Sequence, residues 1–164
     1  MKKSDLQSQV VLMCGISGSG KTHHARQLEE KGYKYISVDA LIWEKAGNRL
    51  FDLHKEEQIK LFRECREEMC RQFKDLLKRG DKIVVDATHC KRSIRDEMRK
   101  ICADSGVTPV FAYCHADKEE FWSRLSKRKG RGADDLIVSR EELADYLLGF
   151  EPPQEDEKDF IILD

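Results

Sequence analysis

No charge of either sign dominates this sequence: charged residues make up 37%, yet the formal net charge is only −1. Tight, non-specific binding of nucleic acid by the whole surface needs a basic excess, so that class is excluded, while a local basic groove is not. No apolar run approaches the roughly 20 residues that span a membrane. The start, Met1-Lys2-Lys3-Ser4-Asp5, leads into a polar stretch and a short strand, so we expect no signal peptide. The six cysteines, Cys14, Cys65, Cys70, Cys90, Cys102 and Cys114, form no C-x-x-C pair, and several sit in apolar runs. Free thiols and a cytoplasmic location are expected, rather than disulfides or zinc. Internal repeats and low-complexity tracts are missing too. The 164 residues suffice for one full core, and we expect 1–164 to form a single domain.

What is present centres on Gly15-Ile16-Ser17-Gly18-Ser19-Gly20-Lys21-Thr22, which fits G-x-x-x-x-G-K-[ST] at every fixed position. This is the signature of a P-loop. Its glycines let successive backbone N–H groups, Ser17 and Ser19 among them, point into one hollow that holds a phosphate chain. Lys21 reaches the outer phosphates, and the Thr22 hydroxyl is placed to ligate Mg²⁺. Val10 to Cys14 before it reads as a buried strand, and Thr22 to Lys31 after it as a helix.

Strands and helices then alternate. Tyr33 to Val38 is a strand closing on Asp39, followed by a short helix from Ala40 to Lys45. Lys55 to Lys78 is a long helix with Ile59, Phe62, Met69, Phe73 and Leu76 in register, closed by Gly80. Ile83 to Val85 is an apolar strand ending in Asp86, suited to a parallel sheet covered on both faces. A helix from Ser93 to Ser105 carries Ile94, Met98 and Ile101 on one side, and Val110 to Cys114 is the next strand. Capping boxes at Asp117 to Glu120 and Ser139 to Glu142 open two more helices, and Phe160 to Leu163 is a last strand. The alternation predicts an α/β fold: a parallel sheet with helices on both faces and ligands at the carboxyl ends of the strands. The P-loop, Asp39 and Asp86 all follow strand ends and so meet at one edge.

Asp86 is placed to share the Mg²⁺ with Thr22, or else caps the next turn with Thr88. Asp39 is placed to take the proton of an acceptor hydroxyl, and equally serves as N-cap of the helix at Ala40. In Arg124 to Gly132 five of nine residues are basic and two are glycine. That segment, about 124–138, reads as a lid whose Arg124 or Arg128 neutralises the transferring phosphate, or as a solvated basic helix end. Of the histidines, His23, His24, His89 and His115 match no metal spacing. Trp43 and Trp122 read as packing, with Trp43 near enough to Asp39 to stack on a ring. Lys91, Arg92 and Arg95 follow Asp86 across a turn and read as phosphate contacts or an exposed helix start.

On these motifs the chain resembles the polynucleotide-kinase-like branch of P-loop kinases, which includes zeta toxins and chloramphenicol phosphotransferase. The carriers are Gly15 to Thr22, Ser37-Val38-Asp39, Val84-Val85-Asp86-Ala87-Thr88 with Arg95, Arg124 to Arg131, and Phe150-Glu151-Pro152-Pro153. The resemblance implies a P-loop NTPase three-layer sandwich with five parallel strands in the order 2-3-1-4-5 and a helical lid. It further implies ATP with Mg²⁺, Asp39 as general base, and Arg124 or Arg128 on the phosphate, Arg128 also touching the nucleotide. Two positions depart from the pattern. Polynucleotide kinases typically carry an arginine three residues after the base, where this chain has Ile42, and relatives often have Asn where it has His89. Asp39-x-x-Ile42 is also similar to shikimate-type small-molecule kinases. The function implied is ATP-dependent phosphorylation of a hydroxyl, on a nucleic-acid 5′ end or a small alcohol, with no membrane and no obligate protein partner. The alternative is an ATP-binding or ATPase module acting on a protein partner.

Overall fold

The computed structural model describes residues 8–163. The stretch Met1 to Asp5, on which the expectation about a signal peptide rests, lies outside the described residues. Five strands, β1 (Val10–Cys14), β2 (Lys34–Ser37), β3 (Ile83–Asp86), β4 (Val110–Cys114) and β5 (Phe160–Leu163), form one parallel sheet in the order β2-β3-β1-β4-β5. This is the P-loop arrangement that the resemblance implies. Alternation along β1 divides the core between two faces. Val10, Leu12 and Cys14 pack with Met69, Phe73, Met98 and Ile101 from α3 (Lys55–Arg79) and α4 (Arg92–Asp104). Val11 and Met13 pack with Ala25 and Leu28 of α1 (Lys21–Glu30). A smaller cluster joins Ile16 to α5 (Lys118–Leu125) and α6 (Arg140–Gly149) through Phe121, Leu125 and Leu143.

Three expectations need correction. β2 stops at Ser37 because the Ser37 Oγ accepts a hydrogen bond from Ala40 N (3.1 Å), making Ser37 the N-cap of α2 (Val38–Ala46). Asp39 therefore neither ends the strand nor caps the helix; it sits in the first helical turn. The apolar stripe of α3 is buried at Cys65, Met69, Phe73 and Leu77, whereas Ile59 and Phe62 lie exposed where the helix outruns the sheet. Arg95 is no phosphate contact: it is wholly buried, with a two-pronged ion pair to Glu157 (2.9 and 2.7 Å) and further bonds to the carbonyls of His89 and Glu151.

All six cysteines are free. Burial pushes the thiols of Cys14 and Cys102 up to about 12, which keeps them protonated and inert. Among the described residues no helix is long and apolar enough to cross a membrane.

Candidate active site

Sheet register sets the site. β1 ends at Cys14 beside β3, and the pairing of Ser37 with Asp86 brings the ends of β2 and β3 level. Between β1 and α1 the chain turns back sharply at Gly15, whose φ is 138°. A Cβ there would stand 2.5 Å from the Cys114 carbonyl and 2.7 Å from Ser19 Oγ, so only glycine fits. Gly20, left-handed at φ 97°, is the N-cap of α1, and no side chain caps that helix. Its first turn holds no acidic residue, so the amide N–H groups stay open to an anion. Lys21 is buried, its Nζ donating to Ile16 O (2.9 Å), and Ser19 Oγ is buried without a partner. An orphaned hydroxyl, uncapped N–H groups and a buried ammonium are what a phosphate chain would satisfy. The loop residues Gly15 to Thr22 therefore fit the nucleotide expected from their sequence.

Thr22 Oγ1 donates to Asp86 Oδ2 (2.7 Å), so both expected metal ligands meet. The Tyr35 hydroxyl donates to the same oxygen (3.0 Å). Burial and the Asp86 charge both push the Tyr35 phenol up, so it stays a donor. Among the described residues no group of three or more His, Cys, Asp or Glu is placed to hold a metal. A single carboxylate with a hydroxyl suits magnesium, which takes its remaining ligands from water and substrate phosphates.

From Lys21 a cleft of about 400 Å³ runs between α2, α3 and α4, lined also by Asp39 and Asp86. Enclosure by the cleft raises the Asp39 pKa, and Asp86 adds to the rise, while Lys21 and Arg128 oppose it. Asp39 itself is exposed at the open mouth, so water still reaches the carboxyl and tempers the rise. Beyond Asp39 the walls are apolar, from Val38, Ile42, Phe62, Met69 and Ile94. Tyr146 of α6 borders the same space, its phenol raised to about 12 by burial, Glu142 and Asp39. His89 is buried at φ 42°, in the left-handed region that histidine seldom adopts. Its Nδ1 lies 2.5 Å from the Met13 carbonyl, which only accepts, so Nδ1 carries the proton. Burial lowers its pKa to about 4, and the ring is neutral.

The two arginines expected at a lid divide. Arg124 Nη1 donates to Gly18 O in the P-loop (3.1 Å), and Nη2 pairs with Glu120. Arg128 Nη1 donates to Leu136 O (3.1 Å), and its charge is felt at Asp39. α5 ends at Leu125, and beyond it runs a loop with one 3₁₀ turn, Ala133–Asp135. Two acids tie this loop down. Asp135 accepts from the amides of Lys129 and Arg131, and Asp134 pairs with Arg26 of α1.

Sequence reasoning missed Tyr35, Phe62, Arg66 and Tyr146, and gave His89 no site role. Tyr35 shares strand parity with Ser37, a signal that points it toward the same face as the strand-end cap. Arg66 is one of many charges on α3 and offers no signal. Trp43, expected near the acceptor, does not line the cleft; Phe62 supplies the aromatic surface instead.

This fold with this site defines a small P-loop kinase-like protein. The chain belongs to the AAA_33 family, an AAA domain, matched over residues 10–153. It is 30% identical over 131 residues to UPF0200 protein PAE1629 of Pyrobaculum aerophilum, covering 80% of this chain and 72% of that protein. Its fold is similar to that of a putative kinase from Chloroflexus aurantiacus (TM-score 0.71, 18% identity, 94% of this chain and 86% of the other). A gluconokinase from Sinorhizobium meliloti is similar as well (0.66, 22%, 94% and 81%). So is the shikimate kinase of Acinetobacter baumannii, solved in complex with shikimate (0.59, 18%, 89% and 78%). At these identities the likeness is one of fold.

Proposed function

We propose that the protein transfers the γ-phosphoryl group of ATP to a hydroxyl of a small-molecule acceptor. The observation that carries this reading is one continuous cleft lined both by the P-loop lysine, Lys21, and by a second carboxylate, Asp39. Backbone amides of Gly15 to Thr22 cradle the phosphates, and Lys21 neutralises the outermost. Thr22 and Asp86 would hold magnesium, which screens the phosphate charge when bound. In the transfer the acceptor oxygen bonds to the γ-phosphorus as the bond to the β–γ bridging oxygen breaks. The acceptor's proton passes to Asp39, and ADP leaves. Arg124 and Arg128, on opposite sides of the lid turn, add positive charge around the transferring group.

A small acceptor is favoured over a polynucleotide end because the cleft of about 400 Å³ is mostly apolar, with Ile42 buried in its wall. An ATP-driven module acting on a protein partner needs no second carboxylate in its cleft. The test is a transfer screen with γ-labelled ATP against nucleic-acid ends, nucleosides, sugars, hydroxy acids and aminoglycoside-like alcohols. Label on a small alcohol is the expected result. Label only on nucleic-acid ends, or hydrolysis with no acceptor labelled, would overturn it.

A further inference from the structure

Two buried polar atoms outside the P-loop have no hydrogen-bond partner, Arg66 Nε and His89 Nε2. Both residues line the acceptor part of the cleft. Arg66 spends one end of its guanidinium on Glu97, and its Nε–H is left over. His89 spends Nδ1 on Met13, which leaves Nε2 as a bare acceptor. Unmade hydrogen bonds of this kind are costly, and native proteins keep few of them. Next to them, at the start of α4, stands Lys91. It is exposed, lines the same cleft and has no ion-pair partner among the described residues. The residues that carry a spare cation, a spare N–H donor and a spare neutral acceptor thus all line one cleft with Ile42, Phe62, Met69 and Ile94.

Resting on the kinase reading, we propose that Arg66, His89 and Lys91 select the acceptor, and that it is a compact hydroxylated compound carrying one anionic group on an apolar body. The anion pairs with Lys91 and the Arg66 Nε–H. A hydroxyl of the same molecule donates to His89 Nε2. The apolar body lies against Phe62 and Ile42, which directs a second hydroxyl toward Asp39. An uncharged alcohol leaves Lys91 and Arg66 unanswered. A polynucleotide brings more negative charge than one lysine and one half-used arginine can meet, and it meets the Asp145 carboxylate at the rim.

The test measures binding without ATP, so it does not depend on catalysis. Alicyclic and aromatic hydroxycarboxylic acids, their methyl esters, and hydroxylated phosphomonoesters are titrated by calorimetry against wild type and Lys91→Met. Lys91 is exposed, so the variant is expected to fold, and its melting temperature checks this. A charged hydrogen bond lost at one partner weakens binding about tenfold to a hundredfold. We expect at least one acid or phosphomonoester to bind, its ester or uncharged counterpart to bind at least tenfold more weakly, and Lys91→Met to erase that difference. Preference between acids and phosphomonoesters identifies which anion the site takes. Equal binding of charged and uncharged members, equal binding by Lys91→Met, or no binder in the panel overturns the proposal. Anions that bind as expected but are not phosphorylated when ATP is added would overturn the kinase reading and leave the anion site standing. Phosphorylation of an uncharged alcohol alone would do the reverse.

Discussion

At the scale of single residues, the proposed function separates the site into groups that face the nucleotide and groups that face the acceptor. Lys21 belongs to the first. Lys21→Ala is expected to weaken ATP binding and abolish transfer, both read by titration with a non-hydrolysable ATP analogue and by label transfer. Unchanged turnover would remove the P-loop from the chemistry. Asp39 belongs to the second. General-base assistance is typically worth about 10²–10⁴-fold, so Asp39→Asn should lose that much transfer while ATP affinity holds. Its melting temperature should hold as well, because Ser37 and not Asp39 caps α2. The raised Asp39 pKa gives the pH profile a direction. The base works only when deprotonated, so kcat/KM should fall on the acid side through a value above that of an ordinary aspartate. A variant with full activity, or a profile flat to pH 4, would rule out the base role.

At the scale of elements, the segment after α5 is organised by an acid and not only by its arginines. Asp135 gathers the amides of Lys129 and Arg131, and those bonds hold its carboxyl below the usual range. Asp135→Ala should release the loop. Trypsin cleavage at Lys127, Arg128, Lys129 and Arg131 is expected to speed up severalfold in the variant, and to slow in wild type when an ATP analogue is bound. Equal cleavage in all cases would mean that the loop is anchored elsewhere and does not respond to nucleotide. Asp134 and Asp135 stand just past the basic run, and nothing in their own spacing shows that the chain folds back to bring them to Arg26 and to the amides of Lys129 and Arg131. Local patterns were otherwise legible. The P-loop, the strand-end Asp86 and the capping box at Ser139, with both of its bonds made, all depend on neighbours within a few residues. The order of the strands was legible only through the resemblance, because pairing joins segments far apart in the chain.

At the scale of the whole molecule, a buried ionic network fastens the far end of the sheet to the cleft. Glu157 takes Arg95 and Arg99, and Arg99 also takes Asp159. Nothing local distinguishes Arg95 from the half-buried Arg92, since its partner is 62 residues away, and this is why its burial is not legible in the sequence. Burial opposes ionisation of Glu157, but the arginines and the Gln154 N–H outweigh it and hold the carboxyl well below its ordinary range. A carboxylate lowered in the folded state adds stability above its unfolded pKa and gives it up as pH falls through its folded one. Wild type should therefore lose stability steeply below about pH 4.5. Glu157→Gln strands a buried guanidinium and should cost about 3–5 kcal/mol at neutral pH. Its remaining stability should depend less on acid, as measured by urea unfolding across the pH range. Equal acid sensitivity in the two proteins would assign the effect to other carboxylates.

The same network has a consequence for timing. Arg95 Nη1 holds the His89 carbonyl, and so helps to fix the strained turn that forms one wall of the cleft. Glu157 is what holds Arg95. On a ribosome Arg95 is made first, and Glu157 follows 62 residues later, on the order of 3–12 seconds at typical rates of synthesis. Until Glu157 is made, the wall of the cleft at His89 lacks the carboxylate that holds Arg95 in place. The shape of the cleft thus waits on a residue made long after its wall.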